Sequence, residues 1–108
     1  MNKYKNRRIT TPDGTFDSKR EYERWCELKL LQRAGKIRDL RRQVRYHLVP
    51  AQYNKIRNER PVDYIADFVY LQNGRTVVED VKGKRTPEYI IKRKLMLYLR
   101  GIIIQEVK

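Results

Sequence analysis

The sequence predicts one α/β domain in which a mixed four-stranded sheet is flanked by two helices. The chain has 108 residues, which suits a single domain. Asn73-Gly74 lies between two apolar segments, and this dipeptide is the strongest short-range signal for a β-hairpin. The predicted order of elements is helix, three strands, helix and a final strand, written αβββαβ, which suits a layered α/β domain.

The first 15 residues differ in character from the rest of the chain. They are polar and basic, with a turn predicted at Pro12-Asp13-Gly14. We interpret residues 1–15 as a basic N-terminal arm or a short hairpin, and residues 16–108 as a single domain. No segment approaches the roughly 20 apolar residues that a membrane-spanning helix needs, and the N-terminus lacks the apolar stretch of a signal peptide. The single cysteine, Cys26, cannot form an internal disulfide, so we expect a cytoplasmic protein without membrane contacts.

The first predicted helix runs from about Ser18 to Ala34. Ser18 and Glu21 have the spacing of a capping box, and Gly35 suits the left-handed residue that follows a helix. The predicted apolar stripe consists of Tyr22, Trp25, Leu28 and Leu31. Glu21 lies on the same side of the helix as this stripe. From the local sequence, Glu21 is either a capping residue alone or a third carboxylate near the hairpin.

Residues 36–49 predict a strand that ends before Pro50. One predicted face carries Leu40, Val44, Tyr46 and Leu48. The other face carries Gln43, Arg45 and His47. We interpret His47 as a partly exposed strand residue, with general base as the alternative. Gln43 is a polar strand residue that could orient a ligand or a water.

The hairpin after this strand sets the predicted register. With a two-residue loop, the pairs run from Gln72–Arg75 through Phe68–Glu79 to Asp67–Asp80. Asp67, Asp80 and Lys82 then share one face of the sheet with apolar residues. Two carboxylates that lie opposite each other on such a face repel each other. We therefore expect a positive charge between them, either Lys82 or a divalent cation such as Mg²⁺. The alternative places both carboxylates at the solvated edge of an ordinary hairpin.

The second helix should begin after Thr86, because Thr followed by Pro87 and Glu88 is a favourable start. Its predicted apolar stripe consists of Ile91, Leu95 and Tyr98, widened by Ile90, Met96, Leu97 and Leu99. Gly101 ends the helix, and residues 102–107 predict a final, largely buried strand. The helix would then connect the second hairpin strand to the last strand as a crossover.

The charge of the chain predicts a nucleic-acid partner. The net charge is +13 and the pI is near 10.1. Contacts with phosphates release counterions, and this release favours binding of such a basic domain to a polyanion. The alternative is a protein that its charge merely keeps soluble. The first 60 residues hold 17 Lys and Arg against 7 Asp and Glu. The candidate phosphate-binding residues are Arg45, Lys55, Arg57, Arg60, Lys84, Arg85, Lys92 and Arg93.

Several motifs together resemble a known superfamily. The αβββαβ order with Asp67, followed by Asp80-Val81-Lys82, is similar to the core of PD-(D/E)XK nucleases, which include restriction endonucleases and Holliday-junction resolvases. Other segments resemble short phage-encoded proteins that are catalogued as a domain of unknown function and are similar to those resolvases. These segments are FDSKRE at 16–21, ELKLL at 27–31, YIADF at 64–68, VEDVKG at 78–83 and KRKLM at 92–96. Ala66 stands where the superfamily name has proline.

The resemblance implies a restriction-endonuclease-like core and a metal-dependent endonuclease that hydrolyses phosphodiester bonds in DNA. Mg²⁺ or Mn²⁺ would be bound by Glu21, Asp67 and Asp80, and Lys82 would position or activate the attacking water. The substrate would be branched, Holliday-junction-like DNA or duplex DNA that is nicked, and paired cuts imply a homodimer in the cytoplasm of the host cell. Two alternatives are a non-catalytic nucleic-acid-binding module on the same fold and a structural phage protein that binds a partner.

Overall fold

The computed structural model describes residues 7–108 and confirms an α/β fold with a mixed four-stranded sheet and two helices. In chain order the elements are β1 (Ile9–Thr11), β2 (Gly14–Phe16), α1 (Lys19–Arg33), β3 (Arg38–Val49), β4 (Gln52–Tyr53), β5 (Asn58–Glu59), β6 (Val62–Gln72), β7 (Arg75–Val81), α2 (Pro87–Arg100) and β8 (Gln105–Val107). Residues 1–6, which belong to the predicted basic arm, lie outside the described residues. Within residues 7–108, neither helix combines the length and the apolar character needed to cross a membrane.

The main sheet has the strand order β3-β6-β7-β8. Its first three strands are antiparallel, and β8 lies parallel to β7, so α2 forms the crossover between these two strands. The helix and strands of the core therefore follow the predicted αβββαβ order. The pairs β1–β2 and β4–β5 are separate two-stranded ribbons outside the main sheet.

The hairpin between β6 and β7 has the predicted turn and, over five pairs, the predicted register. Asn73 and Gly74 have φ values of 52° and 76°, as a type I′ turn requires. The pairs run from Gln72–Arg75 to Phe68–Glu79. The paired ladder ends there, one pair before the predicted Asp67–Asp80 pair. Beyond it, the Asp67 carboxylate accepts a hydrogen bond from the backbone N–H of Val81 (2.7 Å), and on the other edge of β7 Asp80 pairs with Glu106 of β8.

Two apolar clusters lie on opposite faces of the sheet, one beside each helix. The α1-side cluster contains Leu28, Ile37, Phe68, Tyr70 and Val77. The α2-side cluster contains Leu48, Tyr64, Ala66, Val69, Val78, Tyr89, Met96 and Ile104. Because neighbouring residues on β6 and β7 enter different clusters, the hairpin is buried on both faces.

The alternation of side chains slips by one residue within both β3 and β6. Leu40 packs against the α1-side cluster, whereas Val44 packs against the α2-side cluster, so the predicted common face of these residues is wrong. On β6, Ala66 and Val69 both belong to the α2-side cluster although they are three residues apart. Gln43 has a φ of 51° at this level of the sheet, and its left-handed backbone interrupts the regular pleat.

Helix α1 begins as predicted, but its residue Arg24 is only partly exposed. Ser18 is the N-cap, and its Oγ accepts the backbone N–H of Glu21 at 3.1 Å. The sequence places Arg24 on the exposed face of the helix. Instead, its guanidinium pairs with the buried Glu79 of β7, which draws the helix against the sheet.

Helix α2 buries only part of the predicted apolar stripe, in which Leu95 packs against the α2-side cluster. Tyr89 and Met96 are buried, whereas Ile91 and Tyr98 of the predicted stripe are 59% and 86% exposed. The helix carries apolar residues on two sides, so periodicity alone does not identify the buried side. The last strand is also shorter than predicted, since β8 begins at Gln105 and Ile103 is exposed.

Candidate functional site

A cavity of about 330 Å³ brings together the four residues predicted to be catalytic. Glu21 comes from the first turn of α1, Asp67 from the middle of β6, and Asp80 from the end of β7, which Lys82 directly follows. The other lining residues are Asp17, Ser18, Gln43, Ile65 and Val81. Four acidic residues, counting Asp17, and one lysine therefore line one small space.

Glu21 has both of the roles that the sequence left open. Its side chain is buried, and its Oε2 accepts the backbone N–H of Asp17 at 2.9 Å, which stabilises the start of α1. Its Oε1 accepts a hydrogen bond from Nε2 of Gln43 at 3.0 Å. The carboxylate is thus fixed by the helix start on one side and by β3 on the other.

Asp67 is held by hydrogen bonds on both carboxylate oxygens. Its Oδ2 accepts the backbone N–H of Val81 at 2.7 Å, and its Oδ1 lies 3.4 Å from Nε2 of Gln43. Burial, together with the nearby charges of Asp80 and Glu21, raises the pKa of Asp67 to about 8, although the Val81 hydrogen bond acts in the opposite direction. At neutral pH this position therefore favours a bound proton or another positive charge.

Asp80 has one oxygen engaged and one without a hydrogen bond. Its Oδ2 accepts the hydroxyl of Tyr64 at 2.6 Å. Its Oδ1 is buried and accepts no hydrogen bond, although Nζ of Lys82 lies 3.3 Å away as an ion pair. Burial raises the pKa of Asp80, and the Tyr64 hydrogen bond and the Lys82 charge oppose that shift. Apart from this ion pair, Oδ1 has lone pairs left with which to bind a ligand.

Lys82 lies between this carboxylate and an aromatic ring. Its Nζ is 4.2 Å from the centre of the Tyr89 ring, within the range of a cation–π contact. Its side chain is 28% exposed, so the ammonium group can face both Asp80 and a ligand at the surface. The ring contact and the ion pair together fix the cation at the edge of the cavity.

The donors in the cavity fit a divalent cation in type. Mg²⁺ prefers oxygen ligands and is often bound by one or two carboxylates, with water and substrate phosphates completing its shell. Asp80 Oδ1 meets that requirement directly, and Asp67 lies beside it. In residues 7–108, no three His, Cys, Asp or Glu side chains form a group already placed to hold a metal ion. The arrangement therefore suits a cation held partly by its substrate better than one enclosed by protein ligands.

The predicted phosphate-binding residues fall into three groups. Arg45, Arg60 and Lys92 line a groove of about 660 Å³ that also contains Asp80 and Lys82. Lys55 and Arg57 lie in the turn between β4 and β5, away from the cavity. Lys84 and Arg85 lie in the turn that follows β7, and Arg93 lies in α2.

Within residues 7–108, Arg45, Arg85 and Arg93 are among the basic residues already paired with carboxylates. Arg45 binds Asp63 at 2.8 Å. Arg85 and Arg93 bind Glu106 at 2.6 and 2.9 Å. The Arg85 hydrogen bond is the largest influence that lowers the pKa of Glu106 to about 2. These pairs would have to share or exchange their carboxylate partner to contact phosphate.

The sequence did not identify two tyrosines of the site and only suggested the role of Gln43. Tyr64 and Tyr89 lie against Asp80 and Lys82, and tyrosine in an apolar segment has no distinguishing signal. Gln43 links Glu21 to Asp67. Its isolated polarity within a strand was the available signal, but the positive φ that directs it was not predictable.

The sheet, the two helices and the carboxylate-lined cavity define a small, basic α/β domain. Over residues 1–105 the chain matches the family described as "Protein of unknown function (DUF1064)", and it belongs to that family. Comparison with curated proteins and with solved structures gave no match. The predicted membership of a small, uncharacterised domain family is therefore confirmed.

Proposed function

We propose that this protein is a metal-dependent endonuclease that hydrolyses phosphodiester bonds in DNA. The observation that carries the proposal is the cavity shared by Glu21, Asp67, Asp80 and Lys82, with Asp80 Oδ1 buried and without a hydrogen bond. The resemblance to PD-(D/E)XK nucleases assigns the same four residues. Glu21, Asp67 and Asp80 would hold Mg²⁺ or Mn²⁺.

The residues of the cavity have complementary roles in this proposal. When bound, the ion would lower the pKa of a coordinated water and polarise the scissile phosphate. Lys82 would stabilise the charge that develops on the phosphate, since its ammonium group is already held beside Asp80. Tyr64 would orient Asp80 by occupying Oδ2 and leaving Oδ1 free. Gln43 would keep Glu21 and Asp67 in place.

The charge distribution supports DNA as the substrate. The net charge is +13, and the groove beside Asp80 and Lys82 is lined by Arg45, Arg60 and Lys92. Cations along a path to the cavity would neutralise the backbone phosphates of a bound strand. Branched DNA is the first substrate to test and duplex nicking the second, both from the resemblance. A phage origin, action in the cytoplasm of a host cell and a homodimer that makes paired cuts belong to the same proposal.

A second candidate function is a non-catalytic nucleic-acid-binding module. It is favoured by one observation, namely that no three acidic or metal-binding side chains in the described residues are already grouped around a metal position. Such a module would bind DNA with a linear dependence of log affinity on log salt concentration and would form no product.

The test is cleavage of a fluorescent four-way junction and a matched linear duplex with Mg²⁺, Mn²⁺ or EDTA. Wild-type protein is compared with Asp80→Asn and with Asp39→Asn, a control at an exposed carboxylate outside the cavity. We expect metal-dependent cutting that is lost in Asp80→Asn and kept in Asp39→Asn. Unchanged cutting by Asp80→Asn would refute the proposed site. Binding without cutting under any metal would favour the binding module.

A further inference from the structure

The ribbon formed by β4 and β5 stands apart from both apolar clusters. Its two strands pair only with each other, through Gln52–Glu59 and Tyr53–Asn58. The turn between them is fixed by the side chain of Asn54, whose Oδ1 accepts the backbone N–H groups of Ile56 (2.8 Å) and Arg57 (2.9 Å). The side chain of Asn54 therefore gives the tip of the ribbon a defined turn conformation.

The tip exposes apolar surface flanked by positive charge. Ile56 is 82% exposed and Tyr53 is 77% exposed, and neither packs in the clusters beside the helices. Lys55 and Arg57 flank Ile56 in sequence, and Arg60 follows β5. Within the part of the chain that the structure describes, these three cations make no ion pair. Both an apolar contact and three positive charges are thus available to a partner.

The ribbon is continuous with the groove that leads to the candidate active site. Arg60 and Pro61, directly after β5, line the groove of about 660 Å³ that contains Asp80 and Lys82. A DNA duplex whose scissile strand entered that groove would pass the ribbon. The flanking cations favour a polyanion over an apolar protein surface as the partner of this tip.

We propose that the tip of the ribbon enters a groove of duplex DNA and that Ile56 inserts as a wedge between neighbouring base pairs. Lys55 and Arg57 would contact the phosphates on either side. Aliphatic side chains used in this way partly unstack a base step and kink the duplex, and two-stranded ribbons fit DNA grooves. The inference rests on the proposed DNA substrate, and it adds that the enzyme acts on kinked duplex arms next to the scissile phosphate.

The experiment measures distortion of DNA independently of cleavage. A duplex carrying 2-aminopurine at successive positions and a dye at each end is titrated in EDTA with wild-type protein, Ile56→Ala, Ile56→Leu and Ile103→Ala. Ile103→Ala is the matched control, since Ile103 is 75% exposed and lies outside the ribbon and the groove. We expect wild-type protein to raise 2-aminopurine fluorescence at one step and to increase energy transfer between the dyes.

Ile56→Ala should abolish both distortion signals and weaken binding about tenfold, the effect of losing one well-buried apolar contact. Its salt slope should be unchanged, because no charge is removed. Ile56→Leu should restore the signals. In contrast, Lys55→Ala with Arg57→Ala should reduce the slope of log affinity against log salt by about 2.

Several outcomes would overturn the inference. Distortion by Ile56→Ala equal to that by wild type would exclude the wedge, as would wild-type binding without distortion. If Ile56→Ala kept DNA distortion but lost binding to anionic phospholipid vesicles, the tip would be a lipid contact. Normal cleavage by a protein in which Ile56→Ala leaves DNA distortion unchanged would refute the wedge alone. Absence of any DNA binding by wild-type protein would refute the proposed function as well.

Discussion

Arg24 and Glu79 form a two-point ion pair between α1 and the central hairpin. Arg24 Nε lies 2.9 Å from Glu79 Oε1, and Nη2 lies 2.7 Å from Oε2. Tyr70 also donates its hydroxyl to this carboxylate, and the Glu79 side chain is 1% exposed. Because Glu79 directly precedes Asp80, the pair holds α1, which carries Glu21, against the strand that carries Asp80.

Arg24→Met should lower the free energy of unfolding by about 3–5 kcal/mol, since it leaves a buried carboxylate without its cation. Denaturant titration at pH 7 measures the effect. The control is Arg33→Met at the exposed end of the same helix, where a change of roughly 0.5 kcal/mol or less is expected. A loss below about 1 kcal/mol for Arg24→Met would show that the pair contributes little.

Glu106→Gln should destabilise the protein at neutral pH but not in strong acid. Arg85, Tyr89 and Arg93 hold the pKa of Glu106 at about 2, below its ordinary value of 4.5. The stabilisation is therefore complete above about pH 4.5 and is lost as the pH falls towards 2. Denaturant titrations of wild type and variant should differ by on the order of 1 kcal/mol at pH 7, and the difference should shrink below pH 4 and vanish only below about pH 2. A difference that stayed constant with pH would contradict the ionic origin.

Asp67→Asn should stabilise the metal-free protein at high pH. The raised pKa of about 8 means that the folded state keeps a proton that the unfolded chain loses near pH 4. Wild-type stability therefore falls as the pH rises from about 4 to 8, and the deprotonated carboxylate remains a cost above that range. Asparagine removes this charge and can still accept the Val81 N–H.

Thermal unfolding in EDTA measures the effect of Asp67→Asn. The variant should melt roughly 4–8 °C above wild type at pH 9, the shift that about 1 kcal/mol produces in a domain of this size. The difference should shrink as the pH approaches 4. Adding Mg²⁺ at pH 9 should raise the melting temperature of wild type and not that of the variant. A variant that melted below wild type at pH 9 would refute the electrostatic cost of Asp67.

Gln43→Asn should separate the structure of β3 from the function of the cavity. Asparagine tolerates the left-handed backbone found at residue 43, so stability should change by less than about 0.5 kcal/mol. Its side chain is one methylene shorter and cannot hold both Glu21 and Asp67. Cleavage of the DNA substrate should fall about 100-fold, as expected when catalytic groups move by about 1 Å.

The matched control for this variant is Asp39→Asn, because Asp39 lies in the same strand with a φ of 55°. It should retain both stability and cleavage. Wild-type cleavage by Gln43→Asn would mean that the two carboxylates hold their positions without the amide.

The parts of the fold with local causes could be predicted from the sequence. Ser18 and Glu21 fix the start of α1 within a few residues, and Asn73-Gly74 fixes the hairpin register as far as Phe68–Glu79. The helix start and the hairpin depend on contacts between near neighbours in the chain. The hairpin led to Asp67, Asp80 and Lys82, the resemblance added Glu21, and the structure brings all four residues into one cavity.

The remaining features depend on partners that are distant in sequence. Arg24 lies against the sheet because Glu79, 55 residues away and buried, needs a cation. The contacts of Tyr89 with Tyr64 and Glu106 determine which face of α2 is buried, and the apolar stripes of the helix alone do not. The slip at Gln43 cannot be inferred from a pattern that assumes regular alternation.

The slip in β3 and β6 limits how the sheet could be redesigned. A regular ladder with strict alternation would be the usual goal of engineering for stability. In this chain the irregular level of the sheet is also where Gln43 contacts Glu21 and Asp67. A redesign that made these strands regular would remove the unfavourable left-handed backbone at Gln43, but it would also lose the geometry of the cavity. Thermostable versions of this domain should therefore be sought by changing its surface and helices, with residues 43 and 67 left as they are.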